Sequence, residues 1–148
     1  MLFIFSSPPF YTRYVKLPAE GDPVPPEISE NPRFYPYFED AVGAIDGVQV
    51  DAAVSAEDLD NARNRKGGVT QNVLAACSFD MCFQYVLSGW EGSVTDAALY
   101  TEARRTSLHA LPGKFWFADA GFSLCDALLV PYRGVRYHLA EWRCADLR

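Results

Sequence analysis

No apolar run in the chain approaches the roughly 20 residues that a membrane span needs. The opening stretch "MLFIF" ends at "SSPP" after five residues. It has no basic segment before it and is too short for the apolar core of a secretory leader, so the expectation is a nuclear or cytoplasmic protein that is not secreted. Histidine is scarce: His109 and His138 are the only two, which excludes a histidine-rich metal site. Cysteine is scarce as well. Cys77, Cys82, Cys125 and Cys144 contain no C-x-x-C pair and match no zinc spacing. Cys77 and Cys82 could face each other across a hairpin, but free thiols are expected. Basic residues are nearly missing from residues 1–60, which hold three of them against eleven acidic ones, whereas residues 61–148 hold ten basic and eight acidic residues. The net charge of −6 argues against a generic nucleic-acid coat and leaves room for a local basic face on the second half.

What is present suits one soluble domain with a sizeable core: 148 residues, 49% of them hydrophobic. Eight of the ten prolines fall within residues 1–36. The stretch "PAEGDPVPPEISENP" is expected to form neither a helix nor a central strand. Residues 1–37 therefore read as an extended, proline-rich arm, and residues 38–148 as the domain.

Within the domain, "AVGAIDGVQV" is a strand candidate. "SAEDLDNARN" suggests a short helix or turn opened by Ser55. "RNRKGG" is a basic loop. "VTQNVLAACSF" and "CFQYVLSGW" are two more strands joined at "FDM". A helix is expected from about Thr95 to Arg105, with Ser93 or Thr95 as its N-cap. "KFWFADAGF" is a fourth strand and "DALLVPY" a short fifth, stopped by Pro131. The order β-β-β-α-β-β predicts a mixed sheet in which the helical crossover sets the fourth strand beside the first. That is a ribonuclease H-like α/β order, here incomplete because the closing C-terminal helices are missing from the pattern.

Two acids stand out. Asp46 interrupts an apolar run, and a lone carboxylate there needs something to pair with it. Asp119 falls at the C-terminal end of the fourth strand, where sheet proteins collect function. Neighbouring strands are about 4.8 Å apart, so the two carboxylates could share divalent ions, and Mg²⁺ prefers oxygen ligands. The plainer alternative is a turn at each place: "DG" between apolar runs is a hairpin signal, and "DAG" a strand-ending turn. Asp96 complements the helix dipole, and a metal role for it is the weaker reading. Arg63, Arg65, Lys66, Arg133, Arg136 and Arg143 are ordinary solvated cations or phosphate contacts.

Together, "YPYFEDAVGAIDGVQV", "RNRKGGVTQNVLAAC", "YVLSGWEGSVTDAAL", "FWFADAGF" and "LLVPYRGVRYHLAEW" resemble the PIF/Harbinger superfamily of transposase-derived nucleases, in particular its copies in fungal genomes. The likeness runs from about Leu17 to Trp142. It implies a ribonuclease H-like DDE nuclease domain that cuts DNA with a metal-bound acid triad, with Mg²⁺ or Mn²⁺ as cofactor. Asp46 then takes the first acid position and Asp119 the second. It also implies DNA as a partner and makes Arg63, Arg65, Lys66, Arg133 and Arg136 candidates for contacting it. There are departures. The family usually reads G-T-H after the first acid, and here Val48 and Gln49 follow Gly47. It usually reads H-D before the helix, and here Thr95 precedes Asp96. The third acid, a Glu well beyond "PYRGVRYHL", is not reached before Arg148, and Glu141 is too near that stretch to replace it. The expectation is a truncated, catalytically incomplete copy that binds divalent metal. The alternatives are a non-catalytic DNA- or protein-binding module and a non-functional gene fragment. A protein partner or self-association is expected to cover exposed sheet.

Overall fold

The computed structural model describes residues 8, 10–52 and 68–135. The expected helix or turn at 55–64, the basic loop with Arg63, Arg65 and Lys66, and the tail with Arg136, His138, Glu141, Arg143 and Cys144 lie outside the described residues.

Five strands form one sheet: β1 (Ala41–Asp51), β2 (Thr70–Cys77), β3 (Phe83–Glu91), β4 (Phe115–Phe117) and β5 (Leu128–Leu129), in the order β3-β2-β1-β4-β5. β1, β2 and β3 are antiparallel neighbours, while β4 runs parallel to β1 and β5 parallel to β4. The switch to parallel pairing comes where the chain passes through a helix between β3 and β4, since parallel strands need a long crossover. This is the ribonuclease H-like mixed sheet, with β1 at its centre. The aromatic fourth strand is shorter than its sequence suggests. Beyond Phe117 the chain leaves the ladder to form the turn that carries Asp119.

The strand at Asp46 is settled against the hairpin alternative: β1 continues through Asp46 and Gly47, which pair with Ala75 and Leu74 of β2. Alternation along β1 and β2 buries Ile45, Leu74 and Ala76 on one face. The crossover helix, Asp96–Thr106, covers that face with Leu99 and Ala103. Trp116, Phe122, Leu108 and Leu128 complete the core. Thr95 is the N-cap, its hydroxyl accepting from the Ala98 amide at 3.4 Å.

The arm is a correction to the sequence reading. Its described residues contain two short helices, α1 (Phe10–Tyr14) and α2 (Pro26–Ser29), and the crossover helix is α3. α2 forms inside the proline cluster because Pro26 sits in the first turn, where no intrahelical N–H is required. Ile28 is buried, Leu17 packs against the core, and a cavity of about 320 Å³ separates residues 18–27 from the starts of β1 and β4. Asp40 and Lys114 form an ion pair at 2.9 Å at that same end of the sheet. The acidic residues lie away from that end, Asp46 in the middle of β1 and Asp119 just past the end of β4.

Candidate functional site

β1 and β4 are parallel, and Ala44 pairs with Phe117. Asp46 and Asp119 each follow that pair by two residues, so they stand level. Asp46 belongs to the face opposite Ile45, by the alternation of side chains along β1. Both acids are exposed. Each has one carboxylate oxygen tied to its own backbone: the Gly47 amide donates to Oδ1 of Asp46 at 2.8 Å, and the Gly121 amide to Oδ1 of Asp119 at 2.8 Å. Among the described residues, no hydrogen bond holds the second oxygen of either acid.

The electrostatics at Asp46 are those of an acid with acidic neighbours. Partial removal from water pushes its carboxyl above the ordinary carboxylate range; the Gly47 amide opposes this, and the negative charges of Asp119 and then Asp96 push it up further.

Asp96 was expected to complement the α3 dipole, and it does occupy the first helical turn. Its carboxylate does more than that. Oδ1 accepts from Nδ2 of Asn72 at 2.8 Å, and the same nitrogen donates to the Val94 carbonyl at 2.8 Å. Asn72 is buried on β2, and its own Oδ1 has no partner among the described residues. The two acceptors around Nδ2 fix the amide in this orientation, because a flip would set oxygen against oxygen. Asp96 packs directly on Gly47, on the opposite side of β1 from Asp46. Among the described residues, no three acidic, histidine or cysteine side chains group closely enough to hold a metal ion. The described acids are thus a level pair with a third charge behind the strand.

A cleft of about 640 Å³ opens beside this arrangement, between the start of α3, the end of β1 and the turn after Asp119. Asn72, Asp96, Gly121 and Arg133 all line it. Gln49, which stands where the resemblance expects imidazole, accepts from the Thr70 hydroxyl and donates to the Gly92 carbonyl at 3.3 Å, closing one end. Arg133 is exposed, and its guanidinium donates from Nε to the Ala120 carbonyl and from Nη2 to the Phe122 carbonyl, each at 3.1 Å.

The model of the DDE superfamily endonuclease family matches residues 45–145, more than half of the chain. The chain belongs to the DDE superfamily endonucleases. No curated protein and no solved structure matches it. For a DDE-type domain, the matched span takes in both acids of the level pair, Asp96 and Arg133. Sequence reasoning missed Asn72, Gly121 and the bracing role of Arg133. Asn72 had a signal: it shares the inward parity of Leu74 and Ala76, so a polar side chain there had to be buried. Gly121 and Arg133 act through turn geometry that no periodicity records.

Proposed function

We propose that this DDE superfamily domain is a transposase-derived nuclease domain of PIF/Harbinger type, from a fungal-type copy, whose Asp46 and Asp119 bind Mg²⁺ or Mn²⁺ beside a DNA phosphodiester. The observation that carries this reading is the β1–β4 register, by which Asp46 in the middle of β1 and Asp119 just past the end of β4 each follow the Ala44–Phe117 pair by two residues. The donor set fits such an ion: it is all oxygen, exposed, and charged alike, so that the charges acting on Asp46 come from Asp119 and Asp96. When bound, such an ion polarises a phosphoryl oxygen and lowers the pKa of water. The chain's own contribution is to orient. The Gly47 and Gly121 amides hold one oxygen of each acid and leave the other for the ion. Asp96 adds charge from behind Gly47 and is the weaker ligand candidate.

DNA is the proposed substrate, with Arg133, and Arg63, Arg65, Lys66 and Arg136 outside the described residues, as its phosphate contacts. A nuclear location accompanies that substrate. Val48 and Val50 of β1 and Leu129 of β5 expose apolar side chains on the same face as Asp46, which supports a protein partner or self-association there.

A second reading is favoured by one observation. The described acids supply a pair and no group of three, and two-metal cleavage needs ligands for both ions. In that reading the 148-residue chain binds metal and DNA without cutting. Calorimetric titration with Mn²⁺ tests the shared element. The wild-type chain should bind, and Asp46→Asn and Asp119→Asn should each abolish binding. A wild-type chain that takes up no Mn²⁺, or variants that bind like wild type, would remove the metal site.

A further inference from the structure

We propose that Arg133 is the positioning residue of the Asp119 carboxylate, a role distinct from that of a surface charge meeting phosphate. The inference rests on the metal-binding reading above. Asp119 lies past the last paired residue of β4, so the sheet ladder does not hold it. What holds it is a small turn. The Gly121 amide donates to Asp119 Oδ1 at 2.8 Å, and the Phe122 amide to the Asp119 carbonyl at 3.3 Å. Phe122 anchors one end of the turn in the core. The Ala118 amide, just before Asp119, donates to the Leu129 carbonyl at 3.0 Å, and between these two anchors the fork of Arg133 takes the carbonyls of Ala120 and Phe122, the residues on either side of Gly121. One planar group thus spans the amide that fixes the carboxylate. Arg133 itself follows β5, so the clasp ties the exit of β5 to the exit of β4.

The chemistry demands arginine. Two donors in a rigid plane can meet two carbonyls at once, and a lysine ammonium keeps the charge without the fork. Partners that orient a metal ligand from outside its first shell commonly matter by 10–100-fold in affinity. Such a role leaves Arg133 only part of its guanidinium for DNA.

The test separates clasp from charge. In the full chain, Arg133→Lys and Arg133→Gln are compared with wild type for Mn²⁺ affinity, by titration and by the loss of the free Mn²⁺ electron paramagnetic resonance signal. Both variants should bind about tenfold or more weakly, with circular dichroism unchanged. A lysine variant with wild-type affinity would overturn the clasp, because charge alone would then suffice. If a variant does not fold, hydrogen exchange on the wild-type chain decides. The Gly121 and Phe122 amides should be protected well beyond those of an open loop, and exchange at the rate of an unstructured peptide would overturn the proposal. A wild-type chain that binds no Mn²⁺ while those amides are protected would sink the metal reading and leave the clasp standing.

Discussion

Asp96, at the start of α3, packs directly on Gly47 of β1: a Cβ at Gly47 would overlap Oδ1 and Cγ of the Asp96 carboxylate. A glycine is needed in the middle of β1 for this reason alone, since its backbone is ordinary strand. Gly47→Ala should push the carboxylate off β1 and break its bond to Asn72. Leaving a buried amide proton unpaired costs about 1–3 kcal/mol, and urea denaturation should show a loss of that size. An alanine variant as stable as wild type would mean that Asp96 can turn away freely.

The level acids also make a stability prediction. The carboxyl of Asp46 is raised above its ordinary range by burial first and by its acidic neighbours after that, with the Gly47 amide opposing. A raised acid is favoured in its protonated form by the fold, so that contribution is whole below the ordinary carboxylate value near 4 and is lost as pH rises through the raised one. At neutral pH without metal, Asp46 is therefore a small liability. Asp46→Asn should raise the melting temperature, by no more than about 4 °C because the group is exposed and salt screens it. The gain should vanish as pH falls through the carboxylate range and should shrink in high salt. A variant that melts lower than wild type at neutral pH would contradict the sign.

How much of this was legible beforehand differs by element. The strands were readable because alternation is written directly in residues such as Ile45, Leu74 and Ala76, and the sheet order followed from where the helix falls. Asp46 could be read as strand or turn, since "DG" carries both signals, and pairing with β2 decided it. α2 was missed because a proline cluster suggests extension, yet Pro26 in a first turn needs no donor. The placement of Asp46 and Asp119 on and just after neighbouring strands was legible through topology. Its support was not: Asn72 to Asp96, Gly121 to Asp119 and Arg133 to the turn are contacts between residues whose meeting depends on the closed fold.

Gln84 makes a polar joint in the core. Trp116 is buried, and its indole Nε1 donates to Oε1 of Gln84 at 3.0 Å, while Nε2 of Gln84 donates to the Val42 carbonyl at 2.9 Å. Gln84 thus links β3 to both β1 and β4. Gln84→Leu keeps the volume and orphans both partners, at about 1–3 kcal/mol for each group left unpaired. The indole proton should also exchange faster in the leucine variant. Unchanged stability with an unchanged indole resonance would show that another acceptor takes over.

The last prediction is that the 148-residue chain does not cut DNA. Cleavage by two metals needs ligands that hold both ions and align the attacking water with the leaving oxygen. In the proposed metal site Asp46 and Asp119 share one ion. Asp96 lies behind Gly47 with its own oxygen bonded to Asn72, and the described residues offer no group of three. A second ion would sit weakly and out of line, and misplacing reacting groups by about 1 Å already costs about 100-fold in rate. Val48 adds an exposed apolar side chain on the face of Asp46, where a polar group would have supported charge. Mn²⁺ is the permissive ion for the test, since it accepts carboxylate and water ligands readily. Supercoiled plasmid with Mn²⁺ should be nicked no faster by the wild-type chain than by an Asp46→Ala, Asp119→Ala double variant, while Mn²⁺ binding is lost in the double variant alone. Nicking that disappears in the double variant would overturn the prediction and require a further ligand, with Asp96 and Glu141 the first residues to substitute.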